Sequence, residues 1–171
     1  MTEPGPTARA SFDALIGLGS NLGDKADNIR RAIALLTAEG DIALVQTSRL
    51  YRSAPWGVLD QDWFVNAVIA VATALQPHAL LERCLAVEQT MKRVRGERWG
   101  PRVIDVDVLT YRDVRADEPN LVLPHPRITE RAFVLVPLSE IAPGIELGGQ
   151  GLAHWLGEVD ASEVVPFEDA K

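Results

Sequence analysis

The stretch RWGPRVIDVDVLTY, residues 98 to 111, sets two aspartates into an apolar run. Val103, Ile104, Val106, Val108 and Leu109 suit a buried strand. Asp105 and Asp107, two residues apart, then project from the same face of that strand. Neighbouring carboxylates repel and call for positive charge. A hard cation fits, because Mg²⁺ is commonly held by one or two carboxylates, with water and phosphate oxygens completing the octahedron. The plain alternative is a pair of solvent-facing carboxylates on an edge strand. Just upstream, Arg93, Arg95, Arg98 and Arg102 crowd one short segment of an otherwise acidic chain. Guanidinium groups match phosphate oxygens in a planar, bidentate way. A solvated face paired with Glu88 and Glu97 would explain them more simply. Carboxylates for metal beside arginines for phosphate are the parts of phosphoryl transfer.

Further candidates lie around this pair. His125 sits between prolines in LPHPR and reads first as a structural residue of a rigid turn. Arg131 opens a helical turn that also carries Phe133. Trp56, Phe64, Trp99 and Phe133 each read alone as core packing, but as a group near polar Asn66 they could sandwich a flat heterocycle. The segment GLGSNLGD misses the dinucleotide-binding glycine spacing by one residue, because Leu22 takes the last position; it reads as a tight strand-to-helix turn. The one cysteine, Cys84, excludes an internal disulfide and reads as a small buried apolar residue.

These residues must be positioned by a small set of elements. SFDALIGLG is a first strand. Asp24 can cap a helix from about Lys25 to Ala38, with Ile29, Ala32, Ile33 and Leu36 at helical spacing and Gly40 closing it. IALVQTSRLYRS is a second strand, APWGVLDQD a loop, and WFVNAVIAVATAL a third strand interrupted by Asn66. Pro77 opens a helix to about Arg93, with Leu80, Leu81, Cys84, Val87, Glu88 and Met91 near one face. RVIDVDVLTY is the fourth strand. Short helices follow over roughly Glu130 to Leu138 and Leu152 to Leu156. The order β-α-β-β-α-β predicts an α+β fold, a ferredoxin-like α/β sandwich with a mainly antiparallel sheet, helices on one face and the other face free for a site.

The bulk numbers agree with a single domain over residues 1–171, with 1–10 as a flexible leader. The chain is 47% hydrophobic and 24% charged, enough for a core. A net charge of −7 argues against general binding to nucleic acid or anionic membrane. No apolar run reaches the length of a membrane span, and MTEPGPTARA lacks the pattern of a secretory signal. The expectation is a cytoplasmic protein, monomeric, acting on small molecules.

GLGSNLGD, YRSAPWG, FVNAV, RVRGERWGPRVIDVDVL and LPHPRITERAFVLVPLSEIAP occur in that order. Together they resemble the 6-hydroxymethyl-7,8-dihydropterin pyrophosphokinase family of folate biosynthesis, over about residues 12 to 145. The resemblance implies transfer of a pyrophosphoryl group from ATP to the pterin hydroxymethyl group, with release of AMP. It implies two Mg²⁺ ions on Asp105 and Asp107. It places Arg93, Arg95, Arg102, His125 and Arg131 against ATP, and makes Arg93, Arg95 and Arg102 catalytic together with the two aspartates. Trp99 would close the site over both substrates. Phe64 and Phe133 would stack on the pterin, while Asn66 and the backbone of Ser53, Ala54, Pro55 and Trp56 read its edge. The segment from Lys92 to Gly100 is expected to act as a lid.

Some positions depart from that pattern. Phe64 stands where tyrosine is also familiar, so stacking survives without a hydroxyl contact. Ala54 and Trp56 occupy variable positions, and residues 146–171 match weakly. The length suits a stand-alone enzyme rather than a fusion. Two other classes compete: a non-catalytic small-molecule-binding module, and a metal-dependent nucleotide hydrolase that would consume ATP with no pterin present.

Overall fold

The computed structural model describes residues 11–54, 62–91 and 103–168. In chain order these form β1 (Ala14–Ser20), α1 (Lys25–Thr37), β2 (Ile42–Thr47), β3 (Tyr51–Ser53), β4 (Phe64–Thr73), α2 (Pro77–Thr90), β5 (Asp105–Tyr111), β6 (Ala116–Glu118), β7 (Leu121–Leu123), a 3-10 turn (Ile128–Glu130), α3 (Ala132–Ile141), β8 (Glu146–Leu147), β9 (Gln150–Gly151), α4 (Leu152–Gly157) and β10 (Val165–Pro166). The result is an α+β fold on an antiparallel sheet. β1 lies between β4 and β5, and β2 and β3 share the far side of β4. β1 and β4 are buried on both faces, which is why ALIGLGS and FVNAVIAVAT run apolar with little alternation.

One face of the sheet carries α1 and α2. Ile16, Leu18, Ala67, Ile69, Val106 and Val108 meet Ile29, Ala32 and Leu36 of α1 and Leu80, Cys84 and Val87 of α2. Asp24 caps α1 as its spacing predicts, accepting from the Asp27 backbone N–H at 3.1 Å. Gly40 follows the helix at φ +81°, a conformation that favours glycine. Cys84 is fully buried, and burial, with Asp107 and Glu88 adding negative charge, pushes its thiol up to about 12. It stays a thiol at neutral pH and is inert.

Three expectations are corrected. The segment IALVQTSRLYRS is two strands rather than one. Residues 48–50 stand against only Ala67 and Val68, so the ladder bulges. Ser48 spans the break: its N–H donates to the Val68 carbonyl, and its Oγ accepts from the Val68 N–H, each at 2.9 Å. The second face of the sheet is also not left wholly free. Leu15, Val68, Ala70 and Leu109 continue apolar on that side and are covered by Leu135 and Leu138 of α3 and Leu152 of α4. α3 itself begins at Ala132, after Arg131 takes an extended conformation as its N-cap.

Candidate functional site

Beyond α3, the second face holds a cavity of about 400 Å³. Its floor follows from strand parity. The β1 residues on this side are Leu15, Gly17 and Gly19; those of β4 are Phe64, Asn66, Val68 and Ala70; those of β5 are Asp105, Asp107 and Leu109. Gly19 pairs with Asn66 on one side and Asp105 on the other, and Gly17 pairs with Val68 and Asp107. Asn66 and Asp105 therefore stand two strand spacings apart, about 10 Å. A Cβ on Gly19 would meet Asn66 Oδ1 at 3.0 Å, and one on Gly17 would meet the Leu109 side chain at 3.4 Å. Glycine keeps the space between amide and carboxylates open.

One end of the cavity is amide and aromatic. Ser53 of β3 lies opposite Phe64. Buried Asn66 donates from Nδ2 to Ser53 Oγ at 2.6 Å, which fixes the carboxamide and leaves Oδ1 beside Gly19. Ala54 completes this wall, and Phe133 at the start of α3 lines the same cavity.

The other end is charged. Asp105 and Asp107 are half-buried, while Val106 between them is in the opposite core, so the two carboxylates do share a face. Arg131 is buried, with its guanidinium 5.6 Å from the Phe133 ring centre. Burial pulls that guanidinium below its ordinary value, and Asp107 and Asp105 pull the other way. Among the described residues no cluster of three or more His, Cys, Asp or Glu forms. Two hard carboxylates lining one cavity are a donor set that suits Mg²⁺ with water and phosphate oxygens.

His125 joins this end through the turn after β7. Its backbone N–H donates to the Leu109 carbonyl at 2.8 Å, and its Nδ1 accepts from the Arg127 N–H at 3.2 Å. The neutral ring then carries its proton on Nε2. Burial, reinforced by Arg131 and Arg127, pushes its pKa from 6.5 down to about 4. Between those values the unfolded chain binds more protons than the folded one, so stability falls as pH drops through that window. Chemical denaturation from pH 7 to pH 4 is expected to show this loss in the wild type and less of it in His125→Gln. Equal losses in both would assign the titration to other groups.

Residues 15–143 match the family model of 7,8-dihydro-6-hydroxymethylpterin-pyrophosphokinase. The chain is 51% identical over 91% of its length to a 2-amino-4-hydroxy-6-hydroxymethyldihydropteridine pyrophosphokinase of Methylorubrum extorquens, covering 98% of that protein. This chain belongs to the 7,8-dihydro-6-hydroxymethylpterin-pyrophosphokinase family. The Bacillus subtilis pyrophosphokinase is 40% identical over 91% of the chain and is covered to 97%. The fold is also that of a solved Plasmodium falciparum HPPK-DHPS with pteroate, at a TM-score of 0.68 and 15% identity; the match covers 86% of this chain and 44% of that longer one.

Of the residues that the pyrophosphokinase resemblance singles out, Ser53, Ala54, Phe64, Asn66, Asp105, Asp107, His125, Arg131 and Phe133 line this same cavity. Pro55, Trp56, Arg93, Arg95, Trp99 and Arg102, with the expected lid from Lys92 to Gly100, lie outside the described residues. Sequence reading missed Arg127 and the floor glycines, Gly17 and Gly19. A signal for the latter existed: glycines inside a strand mark close approach of something to the backbone.

Proposed function

We propose that this chain transfers the β,γ-pyrophosphoryl group of ATP to the hydroxymethyl oxygen of a 6-hydroxymethyl-7,8-dihydropterin, releasing AMP, as a step of folate biosynthesis. The supporting observation is the register at Gly19, which has the amide and aromatic end on one flank and the carboxylate end on the other. The pterin lies at the Phe64, Asn66 and Phe133 end, stacked by the rings and read by the Asn66 carboxamide, which both donates and accepts. Its hydroxymethyl group points along bare Gly19 and Gly17 towards Asp105 and Asp107. Arg131, Arg127 and neutral His125, a donor through Nε2–H, supply the contacts to phosphate oxygens. The pterin oxygen bonds to the β-phosphorus, the bond from that phosphorus to the α,β-bridging oxygen breaks, and the hydroxyl proton leaves to solvent. Two Mg²⁺ ions on Asp105 and Asp107 would neutralise charge on the triphosphate. The strand order β5-β1-β4-β2 supports a ferredoxin-like reading of the scaffold.

The test is a product assay with ATP, Mg²⁺ and the hydroxymethyl pterin. AMP and the pterin diphosphate are expected in equal amounts, with no AMP when pterin is omitted. ATP consumption at the same rate without pterin would make the protein a nucleotide hydrolase, and binding of both ligands without turnover would make it a binding module.

A further inference from the structure

The family match ends at residue 143, yet the chain continues through further described elements to residue 168. Its last strand, β10, does not cap the fold at random. It pairs antiparallel with β3, Val165 against Arg52 and Pro166 against Tyr51, and the Phe167 N–H donates to the Leu50 carbonyl at 2.9 Å. That bond puts residues 167 and 165 at hydrogen-bonding positions of the ladder, so Pro166 falls where no N–H is needed. A proline there also blunts the sheet edge. β3 has only three residues, and among the described residues it would be an edge strand without β10.

β10 also reaches the other end of the same wall. The Phe167 ring lies 5.6 Å from the Trp63 ring. Trp63 immediately precedes Phe64, and its ring is further held by Lys25 Nζ at 3.6 Å and the Arg52 guanidinium at 5.3 Å. Lys25 in turn bonds Asp62 Oδ2 at 2.7 Å, and Asn21 Nδ2 donates to the Asp62 carbonyl at 3.2 Å. The ion pair with Lys25 holds the Asp62 carboxyl below the usual carboxylate range. Lys25 is a cation at the first position of α1, where the helix dipole disfavours positive charge, and it is buried. Its ion pair and ring contact compensate.

We propose that β10 with Phe167 is a positioning element for the heterocycle end of the cavity. It braces β3 from outside and clamps Trp63, so that Ser53 and Phe64, opposite each other in the ladder, keep their spacing around Asn66. Trp63, Val165, Pro166 and Phe167 are not among the residues that line the cavity; they act through Ser53, Phe64 and Asn66, which do. This inference rests on the reading of that end as the pterin site.

The test compares Phe167→Ala, Phe167→Tyr and Val165→Pro with the wild type in steady-state kinetics, with circular dichroism to verify folding. Phe167→Ala is expected to raise the pterin KM about five- to tenfold while the ATP KM and kcat change less than twofold. Phe167→Tyr should restore the wild-type value. Val165→Pro removes a ladder bond but leaves the ring in place, and should raise the pterin KM in the same selective way; it decides the matter if Phe167→Ala does not fold. Equal rises in both KM values, or none in folded variants, would overturn the brace alone. A wild type that forms no AMP with the pterin would overturn the reading of the site, and the brace with it.

Discussion

Asp105→Asn and Asp107→Asn are each expected to fold normally and to lose about 10²- to 10⁴-fold in kcat. Electrostatic clamping of phosphoryl oxygens is worth several kcal/mol, and every 1.4 kcal/mol is about tenfold in rate. The two carboxylates sit on one face of β5 at the charged end of the cavity; both offset the burial of Arg131, and neutralising one relieves their mutual repulsion while leaving the other to act on that guanidinium. Melting without divalent cation should therefore stay within about 2–4 °C of the wild type, a span that corresponds to roughly 1 kcal/mol in a chain of this size. Calorimetry should show that Mg²⁺ strengthens ATP binding less in each variant than in the wild type. That readout separates loss of a cation site from a general fall in activity. Near-wild-type turnover at ordinary Mg²⁺ in either variant would remove the pair from the machinery.

Why the aspartates could be read from sequence is instructive. Asp105 and Asp107 break an apolar strand at the period of the pleat, and a strand allows only one geometric consequence of that spacing. The same logic gave β1, α1, α2 and β5 to within a few residues, because long periodic segments declare themselves. The break between β2 and β3 was not legible. It depends on Ser48 taking both ladder positions of Val68, a pairing between residues 20 apart that no local pattern encodes. The cover over half of the second face was hidden for a related reason. Leu15, Val68, Ala70 and Leu109 look like ordinary strand residues, and only the tertiary path of α3 tells which face they serve. The floor glycines are visible at the end of the first strand, where they also fit a tight strand-to-helix turn. Gly17 and Gly19 lie within β1, and their meaning comes from what stands across the sheet, Asp107 for one and both Asn66 and Asp105 for the other. The brace formed by β10 was the least legible, since two residues of edge strand carry almost no pattern.

Asn66→Ala is expected to weaken pterin binding about 5- to 150-fold and to leave ATP binding unchanged. The range follows from the cost of an unpaired buried polar group, about 1–3 kcal/mol, at 1.4 kcal/mol per tenfold in affinity. Asn66 is 5% exposed, and its Nδ2 is committed to Ser53 Oγ at 2.6 Å. The substitution therefore removes the carboxamide from the heterocycle's edge and strands a buried serine hydroxyl at the same time. Two companion variants divide these effects. Ser53→Ala keeps the carboxamide but releases its rotamer, so it should cost less than Asn66→Ala. Gly19→Ala keeps both partners but sets a methyl 3.0 Å from Asn66 Oδ1, forcing the carboxamide aside by a few tenths of an ångström. It also narrows the floor along which the hydroxymethyl group must lie. Gly19→Ala should thus lower kcat as well as pterin affinity, whereas Asn66→Ala should act mainly on affinity. Titration calorimetry with the pterin and with an ATP analogue, beside single-turnover rates, reads all three variants. If Asn66→Ala binds the pterin as tightly as the wild type, the heterocycle is not read at this end of the sheet, and Phe64, Ser53 and Gly19 lose their assigned roles together with Asn66.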